Sequence, residues 1–204
     1  MKKKFLKWSL NLIKNNNPEI SDIRLDEIRY GLEGIYLTIT KTIFIFLVSY
    51  LLGIFKEMLL LLIFFNILRT TGFGLHAKKS WMCWVSSTIM FILLPLLSKN
   101  IIIPDYIKII LGTISIVLIF MYAPADTEKR PLVNKKKRTI WKFITTINCS
   151  ILVICSLVIK DQVISNLIIF GIYSEIVLII PLTYKIFHLK YNNYKEYMLR
   201  NSLS

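Results

Sequence analysis

Chemistry-bearing residues are scarce in this chain. It holds three cysteines and two histidines, and 12 acidic residues stand against 26 basic ones. The cysteine count is odd and no Cys-x-x-Cys or metal-ligand spacing occurs, so neither a disulfide framework nor a metal site is implied. Nor does any paired-Asp motif point to a metal-dependent lipid-modifying enzyme. No recognisable nucleic-acid motif accompanies the excess of lysine and arginine, so nucleic acid is not an expected partner. The basic N-terminus lacks the h-region and small-residue cleavage site of a signal peptide, because Lys7, Asn11 and Lys14 interrupt its apolar residues. There is no internal repeat and no low-complexity segment.

What is abundant is apolar sequence. Residues of hydrophobic type make up 55% of the chain, and several runs approach or exceed the roughly 20 residues that span a bilayer. The expected fold is all-α: a polytopic membrane protein with about six transmembrane helices, preceded by interfacial amphipathic helices. Phe5, Leu6, Trp8, Leu12 and Ile13 alternate with lysines and suit an interfacial helix with a basic face. Asn17-Pro18-Glu19 reads as a cap and first-turn proline, so a second helix is expected there, with Leu25, Ile28, Leu32 and Ile35 as its apolar stripe. The apolar runs fall at 35–55, 58–68, 81–97, 106–122, 139–159 and 163–187. The 58–68 run is short and must extend, tilt or re-enter. Asp105 is a candidate cap for the fourth run.

The formal charge of +14 is concentrated in the N-terminus, 69–79, 123–138 and the C-terminal tail, while 56–57, 98–105 and 160–162 carry one lysine each. This alternation fits six crossings with both termini in the cytoplasm, and the basic segments suit anionic lipid headgroups.

Between two apolar runs lies Arg69-Thr70-Thr71-Gly72-Phe73-Gly74-Leu75-His76-Ala77-Lys78-Lys79-Ser80-Trp81-Met82-Cys83. Imidazole can take a proton from a thiol, and the thiolate attacks carbonyls. On one straight helix His76 and Cys83 would lie roughly 10 Å apart, too far for a general base, which must approach to about 3 Å. A dyad therefore requires the chain to break between them and start afresh. Ser80 is the candidate N-cap for a helix from Trp81, with Cys83 in its first turn, where the helix dipole favours an anion. Cysteine is also a common packing residue in buried helices, so this spacing alone does not decide the matter. Cys149 and Cys155, inside one apolar run, read as packing residues. Glu175, in mid-run, reads as a structural acid in the bundle interior or at a subunit contact, with Asn148 as a candidate polar neighbour, and His188 as a headgroup-layer residue.

Three pieces together resemble one family. They are Arg69…Gly74-Leu75-His76-Ala77-Lys78…Cys83, the Tyr122-Ala123-Pro124-Ala125-Asp126-Thr127-Glu128-Lys129-Arg130-Pro131 segment, and Tyr30-Gly31-Leu32-Glu33 before the first span. In motif order, hydropathy and length, residues from about 25 to 190 look like the accessory gene regulator protein B (AgrB) family, membrane cysteine endopeptidases of peptide quorum sensing in Gram-positive bacteria. The resemblance implies one membrane domain over 1–204, divided into interfacial helices 1–34, a bundle 35–188 and a cytoplasmic tail 189–204. It implies Cys83 as nucleophile and His76 as base, Arg69 and Gly74 as further site positions, and no cofactor or metal.

The implied substrate is an AgrD-type propeptide with an acidic C-terminal tail, and the implied assembly a homodimer in the bacterial cell membrane with its active site on the cytoplasmic side. Lys129, Arg130, Lys135, Lys136, Lys137 and Arg138 offer a partner for the acidic tail. Glu33, Asp126 and Glu128 are candidates for an acid that orients His76. The competing reading from a different class is a small peptide transporter or export-channel subunit without catalysis. Such a protein would be expected to carry paired broken helices or polar residues near the midplane.

Overall fold

A computed structural model describes residues 2–75, 80–127 and 131–202. The chain forms two compact units, Met1–Tyr50 and Leu51–Ser204.

The first unit is a pair of helices. α1, Lys2–Asn16, has no acid in its first turn and ends on Lys14. Its Leu6 is buried, while Trp8 and Leu12, one turn apart, are exposed and give the apolar stripe of an interfacial helix. The Phe5 ring meets Tyr36 at 5.4 Å, and Lys2 pairs with Glu33. The expected start at Asn17-Pro18 is a turn instead, closed by the Ile20 N–H on Asn17 O at 3.2 Å. The helix starts only after Ser21, whose Oγ accepts the Arg24 N–H at 3.3 Å. From there α2, Asp22–Leu51, runs for 30 residues. The expected second helix and first span are thus one rod, because nothing between Ile35 and Tyr36 stops a helix. Ile35, Ile39, Ile43 and Leu47 form an exposed stripe along it, as lipid-facing residues at i, i+4 spacing do.

The second unit is built around α8, Gln162–Ile179, in which 11 residues are buried. Around it stand α3, Phe55–Gly72, a segment comprising α4, Ser80–Thr88, a π-helical stretch Ile89–Leu93 and α5, Leu94–Asn100, then α6, Asp105–Tyr122, and α7, Lys135–Val158. The π stretch has a local cause: Pro95 cannot donate to the carbonyl one turn back. α7 is capped by Asn134, whose side chain accepts the Lys137 N–H at 3.0 Å. Pro104 rather than Asp105 occupies the cap position of α6. The last apolar run is broken at Ile180, which precedes Pro181 and is held extended at φ −71°, ψ 142°, the conformation a following proline imposes. α9, Pro181–Ile186, and α10, Asn193–Ser202, follow.

Close packing is made by small residues. A Cβ on Gly171 would stand 3.0 Å from Phe64 Cβ and one on Gly112 2.4 Å from Val153, so each glycine lets two helices approach. The outward faces of α6 and α7 expose Ile110, Ile114, Val117, Ile144, Ile147, Ile151 and Ile154. An apolar belt of this kind suits lipid and not water.

Among the described residues, five segments are long and apolar enough to cross a membrane: α2, Trp81–Asn100, α6, α7 and α8. The protein is an all-α polytopic membrane protein. α3, which contains the short second run of the sequence, is an 18-residue helix, as long as α6 and α8. Its charges, Lys56, Glu57 and Arg69, lie near its ends, and Met58, Leu61 and Leu68 are buried.

The helix ends form two polar layers. In one, Lys99 reaches Glu57 and Gly53 O, both at 3.0 Å. There too, Gln162 donates to Ile103 O at 2.8 Å and Asn166 to Ile101 O at 2.7 Å, and buried Lys108 stands 3.5 Å from Asp105 and 3.3 Å from the Gln162 side-chain oxygen. The other layer gathers 72–75, 123–127, 131–132 and 178–194, which carry the candidate site.

Candidate active site

The helical run through Arg69 ends at Gly72 for a backbone reason. Phe73 has φ 59° and Gly74 φ 94°, both left-handed values, so α3 cannot continue. The freed backbone groups find partners at once. Gly74 N–H donates to Ala125 O at 2.8 Å, Ala125 N–H to Gly72 O at 3.0 Å and Leu75 N–H to Leu178 O at 2.9 Å. A parallel bridge thus joins Phe73 to Ala125. The Phe73 ring stacks on Trp141 at 4.5 Å, and the hydroxyls of Thr71 and Thr145 are 2.7 Å apart.

Arg69 folds back over its own loop. Its guanidinium donates to Phe73 O, to Gly74 O at 3.3 Å and to Leu75 O at 3.0 Å. These are three consecutive carbonyls, ending at the residue before His76. Glu175 Oε2 lies 3.6 Å from the same guanidinium. Glu175 is an interior acid, as expected, but its charge partner is on α3. It stands one turn from the end of α8, and that partner is Arg69. The side chain of Glu175 is fully buried, and sequence reading missed its place at this end. The signal available was the four-residue distance to Ile179, masked by the apolar run that continues past Pro181.

His76 lies outside the described residues, as do Glu128, Lys129 and Arg130. α3 ends at Gly72 and the separate helix α4, Ser80–Thr88, carries Cys83; the break that the dyad requires between His76 and Cys83 falls on 76–79, outside the described residues. Cys83 is in the first turn of α4, half-buried and not in a disulfide. Arg69 and Gly74 are close together: a Cβ on Gly74 would meet Arg69 Nη1 at 2.6 Å. Among the candidate acids, Glu33 pairs with Lys2. Lys135, Lys136 and Lys137 are exposed at the start of α7, with Lys137 4.4 Å from the Trp141 ring. Arg138 stacks 3.6 Å over Tyr194.

Asp126 is buried and already engaged. It accepts the Leu132 N–H at 3.3 Å, the Asn193 N–H at 2.9 Å and the Tyr194 N–H at 2.7 Å. The last two open α10, so Asp126 acts as a helix cap contributed by a distant loop, where a carboxylate is favoured. Tyr184 donates to Asp126 O at 3.0 Å. Burial first, then the neighbouring Tyr122, Asp126 and Tyr194, pushes the Tyr191 phenol up to about 12, so it remains a donor to Tyr122 O. Asp126→Asn turns an amide N–H₂ toward backbone donors and will release the C-terminal segment. Hydrogen bonds to a charged group contribute about 1.5–3 kcal/mol each, so a loss on the order of 3 kcal/mol is expected. Amide hydrogen exchange at Asn193 and Tyr194 checks it, since unchanged protection in Asp126→Asn contradicts the cap.

Helices that span a membrane, an interrupted helix restarting just before a half-buried cysteine, and a basic helix start at the same end define a class of membrane protein with one chemically equipped end. The chain belongs to the accessory gene regulator B family, whose model matches residues 4–179. A putative AgrB-like protein of Clostridium acetobutylicum is 38% identical over 188 residues, 92% of this chain and 90% of the relative. A putative AgrB-like protein of Listeria monocytogenes serotype 4a is 33% identical over 173 residues, 84% of each chain. The accessory gene regulator protein B of Staphylococcus aureus is 35% identical over 173 residues, 84% of this chain and 88% of that protein. No solved structure matches the chain.

Proposed function

We propose that this protein is a membrane-embedded cysteine endopeptidase of peptide quorum sensing, cutting the acidic C-terminal tail from an AgrD-type propeptide and releasing the signal as a thiolactone. The observation that carries the reading is that α3 ends at Gly72 in a loop fixed at Phe73, Gly74 and Leu75, while Cys83 lies near the start of a separate helix, α4, Ser80–Thr88. Positive charge on the segments of this end supports a site on the cytoplasmic face, with both termini there.

In the proposed chemistry, His76 takes the Cys83 proton and the thiolate attacks the carbonyl at the end of the signal segment. The C–N bond breaks, and the departing tail amine takes the proton from the imidazolium. A thioester on Cys83 remains. His76 then deprotonates the propeptide's own thiol, which attacks this carbonyl. A ring thioester forms, the bond to Cys83 breaks, and the proton returns to Cys83. Exchange between two thioesters is nearly balanced, so the second step needs proximity rather than a driving force. Holding the thiol close can supply several kcal/mol, roughly 7–11 at the limit, provided that water is kept out.

Lys135, Lys136 and Lys137 are exposed in the first turn of α7 and, with Arg130, Lys129 and Arg138, would steer an acidic tail. The same cations suit anionic headgroups, and a homodimer is part of the reading. A transporter would need polar interruptions at mid-depth. The π-helical interruption within the Trp81–Asn100 span is Ile-Met-Phe-Ile-Leu, apolar throughout.

The direct test is the covalent intermediate. When the protein is co-expressed with a propeptide whose own ring-closing Cys is replaced by Ala, mass spectrometry will find the signal segment attached to Cys83 and removable by neutral hydroxylamine. Tail release without any such adduct would sink the acyl-enzyme.

A further inference from the structure

The geometry points to Glu175 as a positioning residue: through Arg69 it holds the three carbonyls that lead into His76, and so sets the imidazole against Cys83. This rests on the peptidase reading above.

Five residues make the device. Arg69 spends its guanidinium on Phe73 O, Gly74 O and Leu75 O, all within its own loop. A substrate carboxylate is therefore not its evident partner, although that is what an arginine next to a candidate site first suggests. Five N–H donors in one plane can bridge consecutive carbonyls only if the plane is fixed from another side. Glu175 supplies that side, with its carboxylate 3.6 Å from Nη1 and fully buried. Neither of its oxygens has a hydrogen-bond partner among the described residues, so Arg69 is the group that offsets its burial.

Two glycines make room. A Cβ on Gly72 would lie 2.7 Å from Glu175 Oε1, and one on Gly74 2.6 Å from Arg69 Nη1. α3, the loop and α8 are thus fitted around a single ion pair. The backbone bond from Leu75 N–H to Leu178 O joins the loop to the same turn of α8 that presents Glu175. A buried acid near the end of a span is costly to keep. Mere packing would be served by an apolar side chain of the same shape, whereas fixing the backbone ahead of a general base requires a directed charge.

The test uses the full-length protein in lipid nanodiscs, with a propeptide of matching sequence. Glu175→Gln keeps the shape and removes the charge, and Glu175→Asp keeps the charge and withdraws it. Three readouts are taken: hydrogen exchange at the Gly74 and Leu75 amides, the pH profile of Cys83 alkylation by iodoacetamide, and tail release. In Glu175→Gln, exchange at both amides should rise by at least about tenfold, as for a loop that opens locally. The alkylation profile should move toward that of His76→Ala, and release should fall by about 10- to 100-fold, as misplacement by an ångström does. Glu175→Asp should recover part of each.

Unchanged exchange together with an unchanged alkylation profile in Glu175→Gln overturns the inference. If Glu175→Gln does not accumulate, Glu175→Asp decides: a profile and a release rate equal to the parent's overturn it. Release that persists in Cys83→Ala would instead remove the peptidase reading. The inference about Glu175 would then be judged by amide exchange, which needs no activity.

Discussion

Cys83→Ala will leave the propeptide uncut. In a dyad the nucleophile and base act as one unit, so loss of either removes nearly all of the acceleration, on the order of 10⁴- to 10⁶-fold. The chain contains its own controls. Cys149 is buried, with its sulfur 3.6 Å from Ser115 Oγ, and Cys155 is half-buried in the same helix. Both are on α7, and neither is at the end that carries the loop. Cys149→Ala and Cys155→Ala should lose some packing and keep cleavage within a few-fold of the parent. A blot for a tag on the propeptide's acidic tail, after co-expression in cells, reads the outcome. Cleavage by Cys83→Ala at the parent rate, or loss of cleavage in Cys149→Ala to the same degree, would remove the nucleophile assignment. The effect also separates enzyme from export channel, since a channel would have no reason to depend on one thiol in the first turn of α4.

Much of the architecture was legible because membrane helices declare themselves locally. Apolar runs of sufficient length and the expectation of a break between His76 and Cys83 both come from neighbours in sequence. The errors have equally local causes. Asn17-Pro18 is a good helix start in isolation, yet Ser21 offers a hydroxyl to the Arg24 N–H and the helix begins there. Pro181 lies inside a run that stays apolar, so hydropathy carried the last span too far, although the restriction on the residue before a proline was available.

What sequence could not supply was pairing at a distance. Asp126 is a candidate to orient His76 because it is expected on the same side of the membrane. Its donors Asn193 and Tyr194 are 67 and 68 residues away, in a tail outside the family match to residues 4–179. Glu175 and Arg69 meet for the same kind of reason, on two helices whose contact depends on the packing of the whole unit.

Gly74→Ala will be the most damaging small substitution at this end of the molecule. At φ 94° a side chain is strained whatever surrounds it, at about 1–3 kcal/mol for the backbone alone. The new methyl would also stand 2.6 Å from Arg69 Nη1 and 2.7 Å from Leu178 O. The first contact is a side-chain tip that can withdraw, but only by releasing the carbonyl of Phe73, to which Nη1 donates, and pulling Nη2 from those of Gly74 and Leu75. The second is backbone within α8, which accepts the Leu75 N–H and cannot move without loosening that bond. Overpacking of this kind adds about 1–3 kcal/mol. Two other glycines separate the causes. Gly53 also has a positive φ, 66°, but a Cβ there meets nothing within 4 Å, so Gly53→Ala carries the backbone cost alone. Gly34, in α2, has open space and a helical backbone, so Gly34→Ala should be neutral or slightly stabilising. Thermal unfolding in detergent should rank Gly34→Ala above Gly53→Ala and Gly53→Ala above Gly74→Ala, with tail release lost in Gly74→Ala alone. A Gly74→Ala protein as stable as Gly53→Ala and fully active would mean that Arg69 and the loop can rearrange freely. The fixed approach to His76, on which both the dyad and the role of Glu175 depend, would then be absent.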